Sequence, residues 1–469
     1  MDDVMHGDSP NAESELRTRE FLSAMTGSLD ISPTFASKVD FTGRGELPSI
    51  FPVSNFAAAA VATAAAAAGE LINATLGVVP AIRVSRPLAS LWFGSSVRPV
   101  GWTLPPLWDP IAANYRGKDG WIRLHTNAPQ HRAAALAVLR VTADKTAVSR
   151  AVADWEIEAL ESAVVEQKGC AAAMRTTAAW SRHPQGRRVS EEPLIATRTT
   201  RDRCSPARSL TPHRPLAGVR ILDLTRVLAG PVATRFLSGL GADVLRIDPP
   251  DWDEPGVIPD VALGKRCTRL DLHDPRDRAV LLELLRDADV LVHGYRSDAL
   301  DGLGLGAELR RQIRPGLVDI ALDAYGWSGP WRTRRGFDSL VQMSTGIAEE
   351  GMRTLGKDQP APLPVQAIDH ATGYLLAAAT LRGLTEHART GRGFEARASL
   401  ARTAQSLIGG PRRDGSGDLG VPAEDDWSED LESTAFGTAR RLKSPVTIDD
   451  EPLRWDRPAA RLGSSPPVW

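Results

Sequence analysis

The chain has 469 residues, about three times the ~150 residues typical of one domain, so its length predicts a multi-domain globular protein. Hydrophobic residues make up 42% and charged residues 24% of the chain, which excludes disorder throughout. The net charge of −2 argues against a general polyanion binder, so we expect no nucleic-acid partner.

Cysteine usage and hydropathy indicate the compartment. Cys170, Cys204 and Cys267 lie far apart, so neither a disulfide framework nor a metal site is predicted. The strongest membrane candidate, 56–68, is mostly alanine and shorter than the ~20 residues of a spanning helix, so we interpret it as a buried helix and expect no membrane partner. The acidic N-terminus shows no secretory signal, and a cytoplasmic protein is expected.

Two stretches with the composition of linkers divide the sequence. The first, 198–215, is rich in Arg, Ser, Pro and Thr and has no hydrophobic period. The second, 409–430, mixes Gly, Pro and acidic residues. They separate an N-terminal region of residues 1–197, a central segment of residues 216–408 and a C-terminal segment of residues 431–469.

The central segment alternates short apolar strands with helical patterns. Helices are predicted from Pro231, over 275–286 and over 306–313. Repeated βα alternation predicts a parallel sheet with helices on both faces, so the fold class is α/β with a Rossmann-like doubly wound sheet. The predicted strands are 219–222, 244–247, 290–292 and 317–322.

The glycine pattern of dinucleotide-binding proteins is absent from this segment. The turn after the first strand, 225–231, lacks the Gly-x-Gly-x-x-Gly sequence that lets a pyrophosphate approach a helix. Asp248 ends the second strand, where such folds place a ribose-binding acid. Without the glycines, we expect Asp248 to be a strand-end residue that faces water.

A series of ordered motifs runs through the central segment. The motifs are LAGVRILDLTRVLAGP at 216–231, GADV at 241–244, GKR at 264–266, LDL at 270–272, WSGP at 327–330, GFD at 336–338, STG at 344–346, DHATG at 369–373 and TGRG at 390–393. Together they resemble the family III CoA-transferases, the CaiB/BaiF group. The resemblance implies a transferase that uses an acyl-CoA thioester and a carboxylic acid, with no permanently bound cofactor and no metal.

The flanking regions also resemble this family, but their order is reversed. Segments 115–122 and 158–186 look like the small domain, which usually follows the catalytic half, and 435–459 resembles the usual C-terminal end. The resemblance thus implies a helical lead-in and small domain before the CoA-binding, catalytic domain, with the C-terminal segment returning to the small domain. We hypothesise a circular permutation, or a relic of a tandem fusion that kept the second half of one copy and the first half of the next. Either would give a smaller α+β domain built from both chain ends.

The resemblance places the catalytic nucleophile at Asp369. In this family the Asp carboxylate attacks a CoA thioester to give a mixed anhydride, and the freed thiolate then forms an enzyme-bound thioester. The residues themselves put Asp369 just before an Ala/Leu helix at 373–384, whose N-terminus favours an ionised carboxylate. The alternative is that Asp369 only caps this helix.

The resemblance also implies a CoA site at the ends of several strands, which is where open α/β sheets bind ligands. Arg296 is the expected phosphate partner, because a guanidinium can hold two oxygens at once, and a solvated surface arginine is the alternative. The family's Asn-Phe is replaced by Gly-Tyr at 294–295, and its basic residues are missing at Gly302 and at 249–250. The implied CoA-binding residues are Leu228, Ala229, Leu270 to His273, Gly294, Tyr295 and Arg296.

Two alternatives to a transferase stay open. Some relatives are α-methylacyl-CoA racemases with a His in a Gly-His-Asp segment, where this chain has Phe337, which cannot transfer a proton. His370 is a weaker candidate for that base, because neighbouring side chains point in different directions. The thinned basic contacts favour a non-catalytic acyl-CoA-binding subunit, whereas the retained Asp369 opposes it. By resemblance we expect a homodimer, or a hetero-oligomer with a paralogue.

Overall fold

A computed structural model of the chain describes residues 10–203, 211, 213–296 and 298–469. Cys204, and residues 205–210 and 212 of the expected first linker, lie outside these residues. The N-terminal region is organised around one long alanine-rich helix, α3. Its elements in chain order are α1 (Pro10–Gly27), α2 (Pro33–Ser37), β1 (Val39–Thr42), α3 (Val53–Leu76), β2 (Ile82–Ser85), α4 (Arg86–Leu91) and β3 (Val97–Pro99).

Helix α3 is buried along most of its length. Alanine combines the highest helix propensity with a small side chain, so the run favours a helix that neighbours can approach closely. Among the described residues, α3 is the one helix long and apolar enough to cross a membrane, and its apolar window is fully covered by the rest of the chain. The prediction of a buried helix at 56–68 is confirmed, and the helix is longer at both ends.

Residues 114–203 contain a small antiparallel sheet, β4-β5-β6, and five helices. Helices α5, α6 and α7 pack on one face of this sheet around a core that includes Ile122, Leu160 and Val164. The elements are β4 (Asn114–Arg116), β5 (Trp121–Leu124), α5 (Pro129–Leu139), α6 (Lys145–Ala153), α7 (Ile157–Glu166), β6 (Ala171–Ala173), α8 (Thr177–Arg182), α9 (Pro184–Glu191) and β7 (Ile195–Arg203).

The central segment supplies six parallel strands. Its elements are β8 (Arg220–Leu224), α10 (Ala229–Gly239), β9 (Asp243–Asp248), α11 (Ile258–Val261), β10 (Lys265–Arg269), α12 (Pro275–Arg286), β11 (Val290–His293), α13 (Ala299–Gly302), α14 (Ala307–Ile313), β12 (Val318–Asp323), α15 (Asp338–Thr345), α16 (Ile347–Thr354), α17 (Ala367–Thr390), β13 (Arg392–Ser399) and α18 (Leu400–Ile408).

These strands form a sheet with the order β10-β9-β8-β11-β12-β13-β7. Counted from β8, the parallel strands run 3-2-1-4-5-6, which is the Rossmann order. Helices α10 and α17 cover one face and α12 covers the other, so both faces are buried. The predicted α/β class and doubly wound sheet are confirmed, and the predicted helix at 275–286 matches α12.

The sheet differs from the sequence prediction in two places. Asp248 does not face water: it is 1% exposed, and both of its oxygens accept hydrogen bonds from Arg246 at 2.9 Å, because the neighbouring strand β10 and the segment after β9 cover it. Residues 198–203, expected in the first linker, belong to strand β7, which pairs antiparallel with β13 and is tied to it by the ion pair of Arg198 with Glu395 at 2.6 Å.

The C-terminal segment pairs with strands of the N-terminal region. After a short 3-10 helix (Glu424–Asp426), β15 pairs with β3 and β16 pairs with β2, both antiparallel. The two ends of the chain therefore meet beside the central sheet, while the domain boundaries themselves stay predictions. The strands are β14 (Trp427–Thr434), β15 (Gly437–Leu442), β16 (Val446–Ile448) and β17 (Glu451–Pro452).

Candidate functional site

The strand order reverses direction between β8 and β11, and open α/β sheets bind ligands at the carboxyl ends of strands at such a point. The predicted Leu228 and Ala229 follow β8, and 294–296 follow β11, so the fold brings these residues to adjacent strand ends. Leu270 and His273 follow β10 instead, two strands beyond β8, with Leu270 buried and His273 exposed. Leu270 and His273 therefore lie at the outermost strand of the sheet, away from the point where the strand order reverses.

The turn after β8 is held in an unusual conformation. Val227 has a φ of 65°, which is rare for a β-branched residue and marks a strained turn. Its N–H donates to Glu254 at 2.9 Å, and Glu254 also pairs with the buried Arg246 at 2.8 Å. Strand β9 and the loop after it therefore fix the path of this turn.

Arg226, in the same turn, lies between two aromatic rings. Its guanidinium carbon is 4.9 Å from the ring centre of Trp252 and 5.2 Å from that of Tyr295, and it donates to the Tyr295 hydroxyl at 3.2 Å. Guanidinium groups stack on aromatic faces through cation–π attraction. This cluster sits at the point where the strand order reverses, and the sequence did not single out Arg226 or Trp252.

Asp369 lies in the first turn of α17, which begins six residues earlier than predicted. Gln366 occupies the N-cap position, so the alternative that Asp369 only caps the helix is wrong. One turn later, Gly373 lies so close to α10 that a Cβ there would be 2.5 Å from the carbonyl oxygen of Ala229. Residues four apart share a helix face, so Asp369 lies on the face of α17 that packs against the start of α10, which follows the turn after β8.

A second acid, Asp338, holds the start of α17. One oxygen of its carboxylate accepts the backbone N–H groups of Ile368 and Asp369, each at 2.9 Å, and the other accepts the amide of Gln342. Burial raises the pKa of Asp338 to about 6, against the lowering effect of these hydrogen bonds. Asp338 thus brings a negative charge to the backbone of Asp369.

The protonation of Asp369 differs from the sequence prediction. Burial, and then the charge of Asp338, raise the pKa of Asp369 well above its ordinary value. Within the described residues, no hydrogen bond reaches its carboxylate. The expected ionising effect of the helix N-terminus is overridden, because Asp338 already accepts the first free N–H groups. The site therefore holds two coupled carboxyl groups that resist carrying two charges.

The small antiparallel sheet faces this acidic pair. Phe337, just before Asp338, stacks flat on the ring of His125, with 3.8 Å between ring centres and 4° between planes. Arg123 lies on β5, two residues before His125, which follows the last residue of the strand. The guanidinium carbon of Arg123 is 4.5 Å from the ring centre of Trp108. The charge of Arg123 acts to lower the pKa of Asp338. Strand β5 therefore forms the wall of the candidate site that faces Asp338 and Asp369.

His370 lies apart from this wall. Its ring stacks on Phe93 with 5.2 Å between ring centres, and burial lowers its pKa to about 3, with the Arg235 guanidinium adding to the effect. A group with so low a pKa is neutral and weakly basic. His370 is therefore a poor substitute for the base of a racemase.

The site contains residues that sequence reasoning missed, and their signals differ. Asp338 stands in the GFD motif, and a second acid in a recognised motif was a usable signal. Arg123 lies on β5 and His125 directly follows it, and only the stacking of His125 on Phe337, just before α15, distinguishes this pair from surface residues. Distant segments create that contact, so no local pattern reveals it.

Comparison with known proteins gives consistent matches for the central segment. The family described as "CoA-transferase family III" matches residues 216–450, a range that contains both Asp338 and Asp369. The chain is similar to "Acetyl-coenzyme A transferase nodX" of Hypoxylon pulicicidum, with 33% identity over 42% of this chain and 34% of that protein. It is similar to "Succinyl-CoA:glutarate CoA-transferase" of Mus musculus, with 35% identity over 39% of this chain and 44% of that protein.

Among solved structures, the chain is similar to Rv3272 from M. tuberculosis. The identity is 32%, the match covers 42% of this chain and 56% of that chain, and the TM-score is 0.38. The matched stretch spans 34% and 44% of the length of the two curated relatives above, which is less than half of either protein.

Proposed function

Since the chain belongs to the family III CoA-transferases, we propose that it moves CoA from an acyl-CoA thioester to a carboxylic acid through a covalent intermediate on Asp369. The observation that carries the proposal is the position of Asp369. Its carboxylate is buried, has no hydrogen-bond partner among the described residues, and lies on a helix that packs against the start of α10, directly after the turn that follows β8. A carboxylate without donors keeps its lone pairs available for attack.

The proposed reaction has two halves. The Asp369 carboxylate attacks the thioester carbonyl, a C–O bond forms, the C–S bond breaks, and CoA leaves as a thiolate. The thiolate then attacks the Asp369 carbonyl of the mixed anhydride, releasing the first acid as a carboxylate and leaving CoA on Asp369. A second carboxylate attacks this thioester and frees the thiolate. That thiolate then takes the new acyl group and regenerates Asp369.

The CoA chain is proposed to run along the edge where β8 and β11 end. Leu228, Ala229, Gly294, Tyr295 and Arg296 lie there, and Arg226 adds a cation between two aromatic rings. Leu270 and His273 stay in the proposal as contacts for the far end of an extended ligand. CoA acts here as a substrate, and the chemistry needs no resident cofactor.

A trapping experiment tests this proposal. The pure protein is incubated with a panel of acyl-CoA thioesters and analysed by intact mass. We expect an adduct with the mass of CoA less one water, which is the increase that a thioester on the Asp369 carboxyl group gives. Hydroxylamine should remove it, because hydroxylamine cleaves thioesters. If none of the thioesters gives an adduct, the result would contradict the transferase proposal. It would favour the alternative that the sequence leaves open, a non-catalytic acyl-CoA-binding subunit.

Replacing Asp338 by asparagine is expected to move the pH dependence of transfer. Attack needs the Asp369 carboxylate, so kcat/KM of the wild-type protein falls as the pH drops through the raised pKa of Asp369. In Asp338→Asn the second cause of that raised pKa is gone, whereas the amide oxygen can still accept the two N–H groups. The acid limb of the kcat/KM profile should therefore shift to lower pH.

The matched control for this experiment is Glu350→Gln. Glu350 forms a peripheral ion pair with Arg412 at 2.7 Å, so the same acid-to-amide change should leave the profile in place. If Asp338→Asn has wild-type thermal stability and the acid limb of its kcat/KM profile does not shift, Asp338 does not set the protonation of Asp369.

Racemase activity is expected to be absent. Burial lowers the pKa of His125, the imidazole beside Phe337, well below its ordinary value, so it is a weak base for a proton next to a thioester. A 2-methylacyl-CoA incubated with the protein in heavy water should gain no deuterium at the α-carbon. Deuterium uptake that disappears in His125→Ala would instead favour the racemase.

The permuted domain order and the homodimer stay predictions. Pairing of β15 with β3 and of β16 with β2 joins the two ends of the chain, which supports a domain assembled from both ends. The acidic pair and the wall formed by β5 come from one chain. We therefore propose that each chain carries a complete site, whether or not it assembles with a second copy.

A further inference from the structure

Arg123 is a half-buried cation with few partners. Its Nη1 donates to the side chain of Asn114 at 3.2 Å, while its Nε is buried and has no acceptor. The ring of Trp108 covers one face of the guanidinium. No described carboxylate forms an ion pair with it, and most of the five N–H donors of this side chain are therefore available.

The surroundings of Arg123 make this arrangement costly in the free protein. Burial lowers the pKa of Arg123 to about 10, because a charged group loses favourable hydration. A buried guanidinium is usually matched by a carboxylate that uses two oxygens at once. The protein supplies such matches elsewhere, for example between Arg175 and Glu161 at 2.6 Å. At Arg123 the matching anion is missing.

The geometry places this cation beside the reaction site. His125 lies two residues beyond Arg123, just past the end of β5, and its ring stacks on Phe337. The next residue, Asp338, binds the backbone N–H of Asp369 at 2.9 Å. The guanidinium of Arg123 thus lies on the wall that faces the two acids, within electrostatic range of Asp338.

We propose that Arg123, stacked on Trp108, binds the second carboxylate of a dicarboxylic substrate and so selects for acyl groups that carry a remote negative charge. The inference rests on the proposed transferase function and names its substrate class. A planar guanidinium with an unused edge matches a carboxylate in a bidentate arrangement, and the partly apolar site strengthens that pair.

The reacting carboxylate is a less suitable occupant for Arg123. Phe337 contacts the wall that carries Arg123, and Asp338 contacts the backbone of Asp369, so this pair of residues separates the guanidinium from the nucleophile. A carboxylate held by Arg123 is therefore displaced from the carbonyl carbon on Asp369, which places it at the remote end of the substrate.

Replacing Arg123 by methionine tests the assignment. With glutarate as acceptor we expect the KM to rise by about 30- to 100-fold with little change in kcat, because one charged hydrogen-bonded pair is lost. With butyrate, which has no second carboxylate, the KM should stay within about threefold of wild type. Arg123→Lys keeps the charge but loses the two parallel N–H donors of the guanidinium. Its KM for glutarate should therefore lie between the values of the wild-type protein and of Arg123→Met.

Arg116→Met is the matched control. Arg116 lies on the neighbouring strand β4 and also faces a tryptophan ring, that of Trp121 at 5.7 Å, but it is exposed. This variant should have the KM values of the wild-type protein for both glutarate and butyrate. If the KM rises equally for both acids in Arg123→Met, the proposal is overturned. An unchanged KM for glutarate in this variant would overturn it too.

A binding measurement separates this inference from the transferase proposal. Calorimetric titration of the free protein with glutarate and with butyrate needs no chemistry on Asp369. We expect glutarate to bind more tightly than butyrate to the wild-type protein and to Arg116→Met, and this preference to vanish in Arg123→Met. No preference in the wild-type protein would overturn the assignment even if a CoA adduct forms. A preference without any adduct would contradict the transferase alone.

Discussion

Replacing Asp369 by alanine is expected to abolish CoA transfer. The variant has no oxygen nucleophile on the helix face that packs against the start of α10, so neither the mixed anhydride nor the enzyme-bound thioester can form. We expect kcat to fall by at least about a thousandfold, as when a covalent nucleophile is removed. Intact mass after incubation with the best acyl-CoA should show no hydroxylamine-sensitive adduct. Steady-state transfer between two acids gives the rate.

Asp323→Asn is the control for a buried carboxyl group. Asp323 ends β12, accepts the N–H of Gly326 at 2.7 Å, and has a pKa raised to about 8 by burial, so it is largely neutral at pH 7. An amide of the same shape should leave both adduct and rate close to wild type. If Asp369→Ala still forms a CoA adduct while Asp323→Asn does not, the nucleophile has been misassigned.

Replacing Lys265 by methionine is expected to cause a large loss of stability. Lys265 is fully buried, and its ammonium donates to Asp223 at 3.1 Å and to the carbonyl oxygen of Pro231 at 2.8 Å. Both groups are charged at pH 7, because burial lowers the pKa of Lys265 only to about 8 and the pKa of Asp223 is below its ordinary value despite burial.

The variant leaves the carboxylate of Asp223 buried without a cation in contact. Breaking such a pair from one side costs about 3–5 kcal/mol, which should appear as a lower free energy of unfolding in urea titration. The effect should reach the turn after β8 as well, because Asp223 also accepts the N–H of Thr225 at 2.9 Å. Asp223 therefore links the core of the sheet to the proposed CoA site.

Two further variants make the stability test specific. In Lys265→Met combined with Asp223→Asn no unpaired charge is left, so most of the stability should return. Lys357→Met removes an exposed ammonium and should change the free energy of unfolding by less than about 0.5 kcal/mol. A loss below about 1 kcal/mol in Lys265→Met alone would mean that the pair adds little to the fold.

Local signals in the sequence were sufficient for much of the central sheet. Helix α12 was predicted at its observed bounds because its start is encoded nearby: the Asp274 side chain accepts the N–H of Arg276 at 2.8 Å, and Pro275 fills the first position. Strands β8, β9, β11 and β12 were found within two residues of their ends. Their apolar runs suit strands covered on both faces.

Other elements depend on partners far away in the chain. Helix α17 begins at Ala367 because Asp338, on another helix, accepts two of the N–H groups at its start. Strand β7 includes the polar residues 198–203 because β13 offers an edge and Glu395 pairs with Arg198. Taken without their partners, these residues predict a linker, since their side chains show no hydrophobic period.

The sequence by itself determined the family and the Rossmann-like sheet, because motifs and apolar periods are properties of neighbouring residues, and it predicts a nucleophile at Asp369. Only the tertiary structure decided the electrostatics around Asp369. Its raised pKa comes from burial and from Asp338, and the opposite wall comes from Arg123 and His125 in a separate sheet. Charge interactions depend on distance and on exclusion of water, and both are set when remote segments pack together.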